Sequence, residues 1–518
     1  MNIENIKNKI KRNKFELIFT LVYAIITFII AIFFHEKWRD EAQAWLIARD
    51  LNLVDIIKQM SYEGHPPLWH FILAPFAKLG FPYITESIIS WAIMVINVWL
   101  ILKKSPFKKE FKILIILSLP YLYLYPVISR SYCLIPLGLS LTAIYYPNRN
   151  EKKIQYTLSI LLLAYTHIIM LGLAGMLYLF YFLEQIFYTK KSKSEKRYLI
   201  ISILIAGIGI LILFLMLKGG TDKNTELSLL SFSNFNLNKL KLTLNKILAS
   251  LFGIVSYNFG FKVYIIIWLL IYTIHRIKNY PKGFIIASVS ILWQLYIYIF
   301  IFGLSQQKSN TILLIILFIE WLYYYNKNSL KNTKNEKFKD EIKKIIEIGF
   351  IVLLILNSME AVNSIKSEIS KKYSCAEEAS TIIEKKLEND AIFICSDAPF
   401  ASALIPYTEN KKYWNPSSEE FFTYVTWNKV SNTYLNVEEI LKKVKKNFSI
   451  NDNIYLIICD INETTAETKN VKEELEEYKK KNILSEVYKS KTQSIISDEC
   501  YGIYKIYQNI HLKCNKNF

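Results

Sequence analysis

Apolar runs close to the length of a bilayer crossing recur along this chain from residue 16 to residue 361, and no other sequence feature constrains the fold as strongly. A hydrocarbon core takes about 20 mostly apolar residues per helix. Eleven runs approach that: 16–34, 84–102, 111–128, 131–146, 154–168, 169–188, 198–217, 262–279, 283–304, 310–325 and 345–361. Several hold only 15–18 residues, and the runs that meet near Ser129 and near His167 are separated by almost nothing. The expected fold class is a polytopic α-helical membrane protein of about eleven transmembrane helices, covering residues 1–361. The first run is longer than the apolar part of a signal peptide. Because His35-Glu36-Lys37-Trp38-Arg39 offers no small-residue cleavage site after it, the run is expected to stay as a membrane helix.

Composition matters next because of charge. The chain of 518 residues is 52% apolar yet carries a net charge of +19, a surplus that would suit a polyanionic partner if it were clustered on one surface. It is not. With the N-terminus inside and the runs alternating, six segments lie in the cytoplasm: 1–14, 103–112, 147–153, 189–197, 275–282 and 326–344. They hold 28 Lys and Arg against 7 Asp and Glu, which is the positive-inside bias and no sign of nucleic-acid binding. The expected location is a cell membrane, multi-pass. The same alternation puts 35–83, 218–261 and everything after Met359 on the outer side.

Residues 362–518 hold 22 basic and 23 acidic side chains and are expected to form an extracytoplasmic α/β domain. Helical patterns cover 374–389, 435–447 and 465–482, and strand-like runs cover 391–396, 454–459 and 501–508. Asp397 and Asp460 follow two of those runs, where capping or turn formation is the ordinary role and a functional one the alternative. Cys375, Cys395, Cys459, Cys500 and Cys514 also lie here. An outer location permits disulfides, but Cys395 and Cys459 sit in apolar runs and are expected as packed thiols.

The first outer segment, 35–83, carries the densest chemistry and is expected to form interfacial helices. It reads Trp38-Arg39-Asp40-Glu41-Ala42-Gln43-Ala44-Trp45 and then Tyr62-Glu63-Gly64-His65-Pro66-Pro67-Leu68-Trp69. Asp40 and Glu41 could solvate the interface, cap a helix beginning at Ala42, or do chemistry, and capping and catalysis are compatible. Gly64 permits a tight approach. The two prolines fix the entry to the apolar stretch 68–79, where a proline-terminated loop with an exposed His65 is the ordinary reading and an anion site at a helix start on the membrane surface is the functional alternative. In Ile128-Ser129-Arg130-Ser131-Tyr132, an arginine lies between two abutting apolar runs, where it sits at a helix end, by snorkelling or by pairing with an anion. His167, in Tyr165-Thr166-His167, and Gln306, in Ser305-Gln306-Gln307-Lys308-Ser309-Asn310, fall on the same outer side as the carboxylates.

Together these residues resemble the GT-C superfamily of polytopic glycosyltransferases, and most closely the family 39 type of protein O-mannosyltransferases and lipid A aminoarabinose transferases. The resemblance covers roughly residues 10–360. It rests on the Asp40-Glu41 pair after the first membrane helix, on His65-Pro66-Pro67-Leu68 later in that loop, and on Arg130 at the outer end of the third span. It implies a bundle of about seven shared helices with interfacial helices in the first outer loop. It also implies a sugar donor on a polyprenyl phosphate at the outer leaflet and an acceptor that is an envelope glycan, lipid or protein. By analogy Asp40 is the base, and a single displacement inverts the anomeric carbon. Glu41 orients the site, while His65 and Arg130 meet the leaving phosphate and Tyr132, His167 and Gln306 bind substrate. No cofactor follows from the resemblance alone. A divalent cation held by Asp40 and Glu41 is an alternative that two adjacent carboxylates support poorly. A flippase for a lipid-linked sugar would place its broken or charged elements near the midplane, unlike this chain. A non-catalytic scaffold displaying 362–518 would bind no polyprenyl-phosphate sugar.

Overall fold

The computed structural model describes residues 13–187, 192–218, 236–301, 303–327, 336–408, 410–449, 452–466, 468–491 and 494–507. Each of the eleven apolar runs is helical over most of its length. Among the described residues, seven helices are long and apolar enough to cross a membrane: Lys14–Phe34, Thr85–Lys104, Ile168–Phe187, Lys193–Leu217, Phe259–Asn279, Pro281–Phe300 and Asp340–Ser370. Lys109–Leu117 and Pro120–Val127 would make an eighth as one span bent by 58°. The bend falls where Pro120 brings no backbone N–H to the helix.

The other three runs fall short for separate reasons. Ser131–Tyr145 and Lys153–Ala164 are apolar but short, because the turns at Arg130 and at 165–167 take residues from both sides. Gln306–Lys327 opens on a polar turn and carries Glu320. Leu204, Ile208, Leu211 and Leu215 are all more than half exposed along one face of Lys193–Leu217, as a lipid-facing helix requires. The chain is a multi-pass membrane protein.

The segment 35–83 forms three short helices, Arg39–Asp50, Leu53–Glu63 and Leu68–Lys78. Asn52 starts the second by accepting from the backbone N–H of Val54 and Asp55 at 2.9 and 3.0 Å. Gly64 ends it in the left-handed conformation, φ 73°, and Pro66 and Pro67 then lead into the third.

Helix Glu336–Ser370, about 50 Å long at 1.5 Å per residue, leads into a six-stranded sheet. Its strands are β1 Ile392–Cys395, β2 Lys412–Asn415, β3 Glu420–Phe422, β4 Ile454–Ile458, β5 Leu484–Lys489 and β6 Gly502–Ile506, in the order β3-β2-β1-β4-β6-β5. β1 pairs in parallel with β2 and β4, and the remaining pairs are antiparallel. The sequence patterns correspond to β1, β4 and β6 and to helices Ala376–Lys386, Val437–Asn447 and Val471–Lys480. They do not show β2, β3 and β5. β3 and β5 are the sheet's edges, where charged residues such as Glu420, Glu486 and Lys489 blunt further pairing and erase the apolar run.

Asp397 caps the turn at Ala398 by accepting from Phe400 N–H at 3.3 Å. Asp460, at φ 54°, collects bonds from Thr464, Thr465 and Thr468, so both aspartates form turns. Cys395 is buried in β1 and Cys459 just past the end of β4, the Cys375 and Cys500 sulfurs lie 3.9 Å apart, and Cys514 falls outside the described residues.

Candidate active site

Helix Arg39–Asp50 starts three residues earlier than the sequence pattern suggests and presents Asp40 and Glu41 in its first turn, at the positive end of its dipole. Neighbours on a helix point about 100° apart. The two carboxylates accordingly go to different places. Asp40 reaches Arg130, with Oδ2 2.6 Å from Nη1. Glu41 turns inward, fully buried, and the capping expected of Asp40 falls to it: its carboxylate accepts from Trp38 N–H at 3.3 Å. It also accepts from Ser129 N–H at 2.6 Å and pairs with His35 Nε2 at 2.9 Å. The other ring nitrogen of His35 meets Glu368 at 2.8 Å, and Glu368 in turn accepts from the Tyr123 hydroxyl. Burial alone would strip the proton from His35, but the carboxylates on both sides lift its pKa to about 10 and keep it an imidazolium. Burial works against charge on Glu41 as well, yet His35, Lys37 and the Ser129 amide hold its pKa below the usual carboxylate value.

Arg130 therefore stands on a loop anchored to Glu41 through Ser129. Its guanidinium lies 5.8 Å from the Trp38 ring and 5.4 Å from the Tyr132 ring. Tyr132 stacks on His167 at 4.9 Å between centroids, His167 approaches His65 at 6.2 Å, and His65 stacks on His70 at 5.4 Å. Burial and the nearby Arg130 push the His65 pKa down to about 4, so that ring is neutral at pH 7.

A half-open cavity of about 300 Å³, a volume suited to a small ligand, lies among these side chains. Asp40, His65, Arg130, Tyr132 and His167, all expected from the sequence, line it. Glu41 and Gln306 do not. Glu41 lies behind the wall, and Gln306 is exposed at the start of its helix, where its carbonyl oxygen accepts from Ser309 and Asn310. Lys308 lines the cavity instead, its pKa lowered to about 8 by burial and by Arg130. The polar run 305–310 held that signal, but which residue faces inward depends on where the helix begins.

Two further residues could not be found by pattern. Glu63 ends the helix before Gly64, accepts from Gln43 and Gln59 at 2.8 and 3.1 Å, and has its pKa raised by burial to about 7. Trp427 comes from the sheet-bearing C-terminal region, far away in sequence. A second, apolar cavity of about 450 Å³ runs between helices Lys153–Ala164, Leu171–Phe187 and Lys193–Leu217, with Leu171, Leu213, Phe214 and Trp293 on its walls. Gly64 lines both cavities. Among the described residues no three His, Cys, Asp or Glu side chains converge as a cation site. Because Asp40 and Glu41 diverge, they do not make one donor set for a divalent ion.

No protein-family model matches the sequence, and no curated protein does. ArnT from Cupriavidus metallidurans in the apo state is similar over 96% of this chain and 98% of its own, with a TM-score of 0.53 at 10% identity. ArnT from the same organism bound to undecaprenyl phosphate is similar over 95% and 98%, with a TM-score of 0.51 at 9% identity. The chain has the fold of ArnT. With 95% of the chain covered, the ArnT likeness takes in the helical part and the C-terminal sheet alike, including the region that supplies Trp427.

Proposed function

We propose that this chain is a membrane glycosyltransferase that moves a sugar, with inversion, from a polyprenyl-phosphate carrier to an envelope glycan, lipid or protein acceptor. The observation that carries this is the Asp40–Arg130 pair in a polar cavity that adjoins an apolar, lipid-sized groove at Gly64. Undecaprenyl phosphate bound to ArnT, a structure of the same fold, supports a carrier of that chemistry. The basic segments support a reading with a cytoplasmic N-terminus, the cavity and the C-terminal region outside, and the eleven runs, short ones included, as the membrane passes.

The polyprenyl chain lies in the apolar groove, and its phosphate meets Arg130 and Lys308, the cations of the cavity wall. Arg130 is suited to two-pronged phosphate binding and gives up Asp40 as the phosphate arrives. The freed Asp40 carboxylate accepts the proton of the acceptor hydroxyl. The hydroxyl oxygen bonds to the anomeric carbon as the carbon–phosphate oxygen bond breaks, and the electron pair leaves with the polyprenyl phosphate. Positive charge held in place for that leaving group lowers the barrier without reorganisation during the step. His65, neutral, donates or accepts a hydrogen bond but adds no charge. Tyr132 and His167 form a stacked stretch of the wall beside Arg130 and His65.

Asp40→Asn removes the base and keeps the shape. Transfer is expected to fall by about 10²–10⁴-fold, the usual contribution of a positioned base, with the protein present in the membrane at normal amounts. Full transfer by a purified, folded Asp40→Asn variant overturns the assignment.

A further inference from the structure

The C-terminal region enters the reaction cavity through one short segment. Val425 is clamped at both of its backbone groups: its N–H donates to Gln43 Oε1 at 2.9 Å, and its carbonyl accepts from Gln43 Nε2 at 2.8 Å and from Gln59 Nε2 at 3.1 Å. Two residues on, Trp427 lines the cavity beside Asp40, Glu63 and Arg130, and its indole is among the groups that favour the charged form of Glu63 against burial. The same two glutamines that fix Val425 fix Glu63. An aromatic face held next to a carboxyl is the combination a sugar ring asks for, since its C–H face packs on the indole while its hydroxyls reach the carboxyl oxygens.

The position of this pair selects which sugar. Glu63 immediately precedes Gly64, the residue shared with the apolar groove, and Arg130 and Trp427 both line the main cavity and a smaller one that shares Asp40, Glu63 and His65 with it. A phosphate on Arg130 and Lys308, with its lipid in the groove, carries its sugar against Glu63 and Trp427. We infer that Trp427 and Glu63 form the seat of the donor's sugar ring, so that the C-terminal region takes part in choosing the sugar. This rests on the glycosyltransferase reading above.

The test is equilibrium binding to the full-length protein in nanodiscs. The probes are undecaprenyl phosphate alone and undecaprenyl phosphate bearing a hexose, an N-acetylhexosamine or a pentose. The unsubstituted protein is expected to hold at least one sugar-bearing lipid about tenfold more tightly than the bare phosphate. Trp427→Ala is expected to erase that preference and leave the affinity for undecaprenyl phosphate unchanged, while Trp427→Phe, which keeps a flat ring, retains most of it. A Trp427→Ala protein that keeps the preference overturns the inference, and so does an unsubstituted protein that binds every probe equally. If Trp427→Ala keeps the preference but loses transfer, the ring seats the acceptor and the donor assignment is wrong. Failure to bind any of the four lipids would instead remove the glycosyltransferase reading itself.

Discussion

Asp40 and Glu41 stand side by side in the sequence and do opposite work: Asp40 faces the cavity on Arg130, and Glu41 is spent on His35 and on the Ser129 amide that carries Arg130. The His35 contact gives a pH signature. Its pKa is raised from 6.5 to about 10 because Glu41 and Glu368 outweigh burial, so its contribution to stability is fully present below pH 6.5 and is lost as pH rises through 10. A scan of thermal midpoint against pH should fall across that window, and His35→Gln should start lower at pH 6.5 and fall less. Parallel curves for the two proteins would show that His35 carries no charge in the fold. At this scale the sequence is legible wherever a charged or ring-bearing residue marks the end of an apolar run, as at Asp40, His65, Arg130 and His167. It is silent on Glu63 and Trp427, whose roles depend on partners that only the folded chain brings near.

Among the elements, the apolar runs announced helices reliably, and their ends were the harder matter. Pro120 bends one run, and the turns at Arg130 and at 165–167 shorten two more. Those breaks put polar residues where the cavity needs them, which is why the site gathers at helix ends. The apolar groove depends on small residues on Leu171–Phe187. A Cβ built on Gly172 would meet Trp293 at 2.6 Å, so that glycine sets how closely Pro281–Phe300 packs. A Cβ at Gly175 meets nothing within 4 Å, so the residue leaves open space on the groove wall. Gly175→Leu should therefore fit without loss of thermal stability and cut undecaprenyl phosphate binding by about tenfold or more, as an occupied groove excludes the chain. Unchanged lipid binding by a stable Gly175→Leu protein would place the polyprenyl chain elsewhere.

For the whole molecule, one link between the membrane part and the C-terminal region lies one residue from Asp40. Arg39 pairs with Asp498 at 2.8 Å and Glu499 at 3.1 Å and lies over the Phe400 ring at 4.3 Å. Removing it leaves Glu499, which is fully buried, without its cation. Arg39→Ala should cost about 2 kcal/mol and speed limited proteolysis of the C-terminal region before the helical part unfolds. Equal protease resistance would mean that the Gln43–Val425 clamp suffices. The net charge does not bear on this link, because residues 362–518 are almost neutral. Gly64 joins the two halves of the problem. One residue both stops helix Leu53–Glu63, in a backbone twist that side chains resist, and forms the threshold between the oily channel and the wet chamber. The width of that threshold is thus tied to the geometry of a helix stop and cannot drift by small substitutions. In the proposed transferase, divergence toward carriers of another thickness has to happen further along the channel, at positions such as Gly175, while the spacing between lipid and reacting sugar stays fixed.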